Sequence, residues 1–212
     1  MPDISLVIDG HEQTVPAGTT GTTWFEKSRD VVAIKVDGTP RDLETSFEEG
    51  TTVEAITLAS EDGLNILRHS ATHVLAQAVQ DVFPDVNLGI GPFITDGFYY
   101  DFGNIAAVTP ELLRELEKRM KRIVKEGQRF VRREISEEEA TRELAAQPYK
   151  LELVTTKGKG AEGASVEVGG ATLTMYDNVR RDGSVAWKDL CRGPHLPSTK
   201  LIGNGFALTK AS

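Results

Sequence analysis

The 212-residue sequence predicts an α+β fold in two modules, a small one over residues 1–62 and a larger one over residues 63–212. Three observations carry that prediction. The first 60 or so residues repeat a two-residue apolar alternation broken by Asp-Gly turns, as a small half-buried sheet requires. Residues 64–83 then set Leu64, Leu67, Ala71, Val74, Leu75, Ala78 and Val82 at three- and four-residue steps, which is one face of a helix. Beyond Pro84, strand-like and helix-like segments follow with Gly-rich connections, which suits a mostly antiparallel sheet with helices packed on it.

In chain order, ISLVIDG, VVAIKVDGTPRDL and TTVEAITL read as strands, with one short helix in TTGTTWFEKS. Strands and one helix in so short a stretch suggest a β-grasp (ubiquitin-like) module, although any small α+β sheet has the same local pattern. SEDGLN holds turn and helix-starting residues, with Ser60 or Asp62 as cap, and the module boundary is placed there. The long helix ends at Pro84. GIGPFITDGFYYDF alternates glycine turns with an aromatic strand. Thr109 and Pro110 open a second helix that runs to Glu126 and is stopped by Gly127. QRFVRREI reads as a strand, and Ser136 with Glu139 forms a capping box for a helix over EEEATRELAAQ. KLELV, ASVEV, ATLTMYD, SVAWKDL and GFALTK read as strands, and KGKGAEGAS as a flexible surface loop.

The net charge of −8 is uneven: residues 1–62 hold 4 Lys/Arg against 13 Asp/Glu, and residues 63–212 hold 20 against 19. Nucleic acid therefore stays eligible as a partner of the second module, because phosphate binding depends on local patches. Between Arg114 and Arg133, nine Lys/Arg stand against three Glu, a stretch able to hold phosphates or simply to form a solvated helix face with Glu/Lys pairs. A single cysteine and an acidic N-terminus without a signal peptide fit a cytoplasmic location. No apolar run reaches the roughly 18 residues of a membrane-spanning helix, so no membrane partner is expected.

His69 and His73 lie four apart on the long helix, one turn above the other and about 40° apart around its axis. Cys191 and His195 in DLCRGPH repeat that separation across a tight loop at Gly193 and Pro194. Three imidazoles and a thiolate are a sensible tetrahedral zinc set. The same side chains equally suit a metal-free hydrolytic pocket, and chance spacing is the bland alternative. In GFYYDF, Tyr99 and Tyr100 can stack on a base or fill a core; alternation on a strand sends one inward and the other toward the site.

RHSATH, GIGPFITDGFYYDF and DLCRGPHLPS, in this order, make the chain resemble bacterial threonyl-tRNA synthetases over essentially its whole length. Residues 1–60 resemble their TGS domain in general pattern, and residues 64–210 resemble their editing domain more closely. The resemblance implies hydrolysis, by an activated water, of serine wrongly esterified to threonine tRNA. Serine lacks only a methyl group, which a synthetic pocket rejects by only about 1–3 kcal/mol, so a second sieve is needed. It implies catalytic roles for His69, His73, Lys150, Cys191 and His195, with Lys150 activating the water. Gly91 and Tyr100 would lie around the terminal adenosine, and Asp189 would bind the substrate ammonium or orient a partner. It also implies no resident metal, whereas the related alanyl editing domains use the same pairs, here His69, His73, Cys191 and His195, to hold zinc. The expected partner is the acceptor end of threonine tRNA, with the full-length enzyme a homodimer through a catalytic domain absent here. Nothing in the sequence resembles the ATP-binding motifs of that domain, so no aminoacylation is expected from this chain. A non-catalytic RNA- or protein-binding module and a zinc-dependent deacylase for another mischarged tRNA are the competing readings.

Overall fold

The computed structural model describes residues 2–105, 107–156 and 173–210. The chain forms two compact units, Met1–Leu67 with Pro194–Pro197, and Arg68–Gly193 with Ser198–Ser212. Both combine helices with antiparallel strand pairs, as an α+β fold does.

In the first unit, β1 (Asp3–Ile8), β2 (His11–Pro16), β3 (Val31–Val36), β4 (Thr39–Asp42) and β5 (Thr52–Thr57) form one sheet in the order β2-β1-β5-β3-β4. The pair β1/β5 is parallel and the others are antiparallel. Both hairpins turn on Asp-Gly pairs with positive φ, 47° and 81° at Asp9-Gly10 and 48° and 76° at Asp37-Gly38, whose twist matches that of the strands. Leu6, Ile8, Val15, Phe25, Val31, Ile34, Phe47 and Val53 form the core on one face. The short helix is α1, only Gly21–Trp24, capped by Thr20.

Helix α2 (Glu61–Val82) begins where Ser60 accepts from the Gly63 N–H at 3.1 Å, so Ser60 is its cap, while Asp62 pairs with Lys35 at 2.6 Å. The division between the units falls inside α2. The GIGPFITDGFYYDF segment is not one aromatic strand. It makes two-residue strands β7 (Phe93–Ile94), β8 (Gly97–Phe98) and, at its end, β9 (Phe102–Gly103), which pairs with β6 (Asn87–Leu88). Glycines and a proline every few residues leave no longer ladder.

Helix α3 (Pro110–Glu126) has Thr109 as N-cap and Gly127 in the left-handed conformation after its last turn, as expected. Three strands, β10 (Arg129–Ile135), β11 (Leu173–Val179) and β12 (Val185–Leu190), form an antiparallel sheet in that order. Between β10 and β11, α4 (Glu137–Glu143) carries the expected capping box but ends short of AAQ, and α5 (Pro148–Thr156) follows. KLELV is thus helical, not a strand. Pro148 suits the first helical position, and adjacent Leu153 and Val154 are both buried, which a strand cannot arrange on one face. Their cluster with Ile135, Ala140, Leu144, Met175 and Leu190 holds α4 and α5 on the sheet. GFALTK also forms no strand. ASVEV and KGKGAEGAS lie outside the described residues.

Candidate active site

Helix α2 crosses the three-stranded sheet with a buried polar stripe at four-residue steps: His69, His73 and Gln77 are 2%, 1% and 2% exposed. The His73 ring stands edge-on to Phe130, Tyr176 and Trp187, with centroids 6.2, 6.3 and 5.2 Å away. Gln77 accepts from the Asn178 amide at 2.8 Å, and Gln80 accepts from the Trp187 indole at 2.5 Å. These bonds fix α2 in both rotation and register against β11 and β12.

Beyond β12 the chain turns through Cys191-Arg192-Gly193. The Cys191 sulfur lies 3.0 Å from His69 Nε2 and receives the Gly193 N–H at 3.3 Å. Gly193 has φ +71°, and a side chain there would overlap the buried Tyr176 ring, so only glycine permits this turn. Gly91 is required for a related reason: a Cβ would press into the Tyr100 ring. Gly91 also hydrogen-bonds His69 through its backbone.

Lys150, on the first turn of α5, is fully buried. Its Nζ lies 3.1 Å from Asp189 Oδ2, 3.5 Å from the Leu190 carbonyl and 5.6 Å from the Tyr100 ring centroid. Tyr100 donates to the same Asp189 oxygen at 2.6 Å, and Asp189 Oδ1 accepts from the Leu190 N–H at 2.8 Å. Asp189 thereby orients Lys150 and Tyr100. Tyr100 stacks on Phe102 at 4.9 Å, whereas Tyr99 is 43% exposed. The expectation that one of the two tyrosines points into the core is corrected: Tyr100 reaches the cluster and Tyr99 faces solvent, because the two lie outside any strand, between β8 and β9.

Burial pushes the His69 imidazolium down to about 4, partly offset by the Gly91 backbone and assisted by the Lys150 charge. Burial, then His69 and Lys150, hold His73 well below the ordinary histidine range. Both rings are neutral at pH 7. They therefore offer lone pairs and N–H groups, not charge, to whatever enters.

His195 lies in the Pro194–Pro197 segment, and its backbone N–H donates to Asp42 at 3.0 Å. The ligand-capable atoms of His69, His73 and Cys191, all in the second unit, lie within 4.8 Å of one another. As donors, these two imidazoles and a thiolate suit zinc. A tetrahedral site sets nitrogen and sulfur about 3.5 Å apart. The 3.0 Å contact between His69 and Cys191 is a hydrogen-bonding separation and would have to open slightly around an ion.

The threonine–tRNA ligase of Cutibacterium acnes is 70% identical over 200 residues, 94% of this chain. The chain is homologous to threonine–tRNA ligases. Those of Pseudarthrobacter chlorophenolicus and Thermobifida fusca are 54% and 53% identical over 99% and 95% of the chain. The chain spans only 29%, 32% and 31% of the length of these three ligases. Residues 166–212 match the threonyl and alanyl tRNA synthetase second additional domain, a stretch that contains β12 and the cysteine loop.

The sequence reading missed the walls of the site. Gln77 continues the four-residue step of His69 and His73 and was detectable. Phe130, Tyr176 and Trp187 carry no local signal, because only the sheet brings them onto His73. Gln147 was missed too: its amide accepts from the Leu88 N–H at 2.7 Å and donates to the Val86 carbonyl at 3.2 Å, anchoring the start of α5.

Proposed function

We propose that this chain removes serine wrongly esterified to threonine tRNA, by attack of a water on the ester carbonyl. The observation that carries the reading is the convergence of Lys150, Asp189, Tyr100, His69, His73 and Cys191 within one unit. Likeness to threonine–tRNA ligases and to the second additional domain names the substrate class. In this reading the tRNA acceptor end enters with its terminal adenosine beside Tyr100 and Gly91. Neutral His69 and His73, with Cys191 and His195, hold the ribose hydroxyl and the water by hydrogen bonds.

The substrate ammonium, entering beside Lys150, adds a second positive charge there, which favours release of the lysine proton to solvent. The Lys150 amine then takes a proton from the attacking water. The new carbon–oxygen bond forms, the ester bond breaks, and the ribose oxygen leaves with the proton that Lys150 took from the water. Threonine's extra methyl would crowd the water or the wall, so the threonine ester survives.

The strand order of the first unit supports reading residues 1–62 as a TGS-like β-grasp module, with residues 63–212 as the editing module. Such an enzyme would work in the cytoplasm, its full-length form pairing through the region beyond this chain. The second reading is a zinc-dependent deacylase, favoured by the clustered donor atoms of His69, His73 and Cys191. Zinc would supply a metal-bound water as nucleophile.

Incubation of seryl-threonine tRNA with the chain at high concentration tests the proposal. Serine is released well above the buffer rate, and Lys150→Met or His73→Gln lowers that rate about 100-fold or more. No release above buffer overturns the enzyme reading, and tRNA binding with an unchanged ester lifetime would favour a binding module. Metal analysis with chelator treatment separates the two deacylases: activity that survives chelation rules out the zinc form.

A further inference from the structure

An imidazole that hydrogen-bonds a substrate needs its ring plane fixed as well as its backbone. The second side-chain torsion of histidine is broad and nearly two-fold, so α2 alone leaves the rotation of the His73 ring open and its neighbours must set it. The rings around His73 are not equivalent. The Phe130 and Tyr176 centroids are 6.2 and 6.3 Å away, whereas the Trp187 centroid is 5.2 Å away, with its plane turned 79° from that of the imidazole. His69, one turn back on α2, lies at 5.5 Å and 60°.

Trp187 also carries a polar handle that Phe130 lacks. Its indole N–H donates to Gln80 Oε1 at 2.5 Å. Gln80 follows His73 on α2 by about two helical turns and is displaced only about 20° around the axis, so both project toward the sheet along one row. A circuit therefore closes on a single helix: α2 presents His73, Trp187 of β12 packs on that ring, and Gln80 of α2 holds the indole plane. The sheet does not depend on this bond for its place. Asn178, the cross-strand neighbour of Trp187, donates separately to Gln77 at 2.8 Å, which keeps β11 and its ladder partner β12 in register on α2. Loss of the Gln80 acceptor thus frees the indole to tilt while the helix stays where it is.

We infer that Trp187, held by Gln80, is a positioning residue that sets the orientation of the His73 imidazole. The inference rests on the deacylase reading for the reaction it serves. Trp187 acts through His73 and has no part of its own in the chemistry. A near-perpendicular ring contact is directional, because the electron-rich face of one ring attracts the positive edge of the other. Tilting the indole therefore tilts the imidazole with it. A displacement of about 1 Å in a group that holds a reacting hydroxyl or water can cost about 100-fold in rate, so a bond two turns from His73 has leverage on the reaction.

Gln80→Leu and Gln80→Glu in the 212-residue chain test this. Both replacements keep good helix formers in α2; the first removes the acceptor and the second retains one at a half-buried position. The chain has four histidines and two tryptophans, so its imidazole and indole N–H signals in NMR spectra are few, and His73→Gln and Trp24→Phe assign them. Gln80→Leu is expected to shift the Trp187 indole N–H and the His73 ring signals, while Gln80→Glu leaves the His73 signals close to their wild-type positions. Deacylation of seryl-threonine tRNA at saturating substrate falls about tenfold in Gln80→Leu, with KM held within about twofold, and recovers in Gln80→Glu. In a His73→Gln background, Gln80→Leu lowers the rate no further, because the group being positioned is gone. His73 signals that stay in place in Gln80→Leu overturn the proposal. So does a second full loss of rate in the His73→Gln background, which would put the effect at Asp189 or in the helix as a whole. If the wild type releases no serine, the deacylase reading falls, while the ring signals still judge the Gln80–Trp187–His73 circuit on their own.

Discussion

Lys150 and Asp189 stand 3.1 Å apart with both side chains fully buried, so each charge depends on the other for compensation. Replacing Lys150 with Met leaves a buried carboxylate that still holds Tyr100 but has lost its cation, and should destabilise by about 3–5 kcal/mol. Adding Asp189→Asn removes the stranded charge, so the double variant should be destabilised by clearly less than the sum of the single changes. Urea unfolding of the three variants measures this, and strict additivity would show that the two groups do not act as a pair. At this scale the sequence was informative within short spans only. The four-residue spacings of His69 with His73 and of Cys191 with His195 were readable, but His69 and Cys191 are 122 residues apart and nothing local joins them. Only the family resemblance brought Lys150 and Asp189 into the site. Lys150 reads as an ordinary surface lysine until the sheet end at Leu190 covers it, and Tyr99 and Tyr100 were separated wrongly because strand alternation does not apply outside a strand.

Helices whose ends carry their own chemistry were legible: Thr109, Pro110 and Gly127 bound α3, and the Ser136–Glu139 box opens α4. Losing that cap through Ser136→Ala should cost about 1 kcal/mol in urea unfolding. Helix α5 lacks such signals apart from Pro148, and five residues of KLELV cannot distinguish a helical face from a buried strand. Its position depends on a distant contact, the Gln147 amide on the backbone of Val86 and Leu88. Gln147→Ala breaks both bonds and should cost about 1–2 kcal/mol of stability. It should also displace Lys150, so deacylation at saturating substrate falls about tenfold or more while tRNA affinity holds. Gln147→Glu keeps the bond from Leu88 and should recover part of the rate. Equal losses in rate and affinity would instead mean that α5 has no positioning role.

At the scale of the whole molecule, His69 and Glu143 set two windows of acid sensitivity through two different kinds of group. His69 is neutral when folded, with its value at about 4 against an ordinary 6.5, so the unfolded chain binds the extra proton first. Its contribution to stability is intact above pH 6.5 and is lost as pH falls toward 4, by about 3 kcal/mol; His73 acts in the same direction. Glu143 works lower down. Held by Arg133 at 2.7 Å and Lys188 at 2.6 Å, its carboxyl sits at about 2, down from 4.5. Its contribution is complete above pH 4.5 and disappears as pH falls toward 2, amounting to roughly 1–3 kcal/mol after screening of its exposed part. The Arg133, Glu143, Asp177 and Lys188 network ties α4 to all three strands, so its failure should release the sheet face that α4 and α5 cover. Urea midpoints measured from pH 7.5 to 3 should therefore fall in two stages. Glu143→Gln should remove most of the second stage and leave the first. A midpoint that stays level between pH 7 and 4.5 would mean that His69 is charged in the folded protein, and the neutral imidazole on which the site chemistry depends would be wrong.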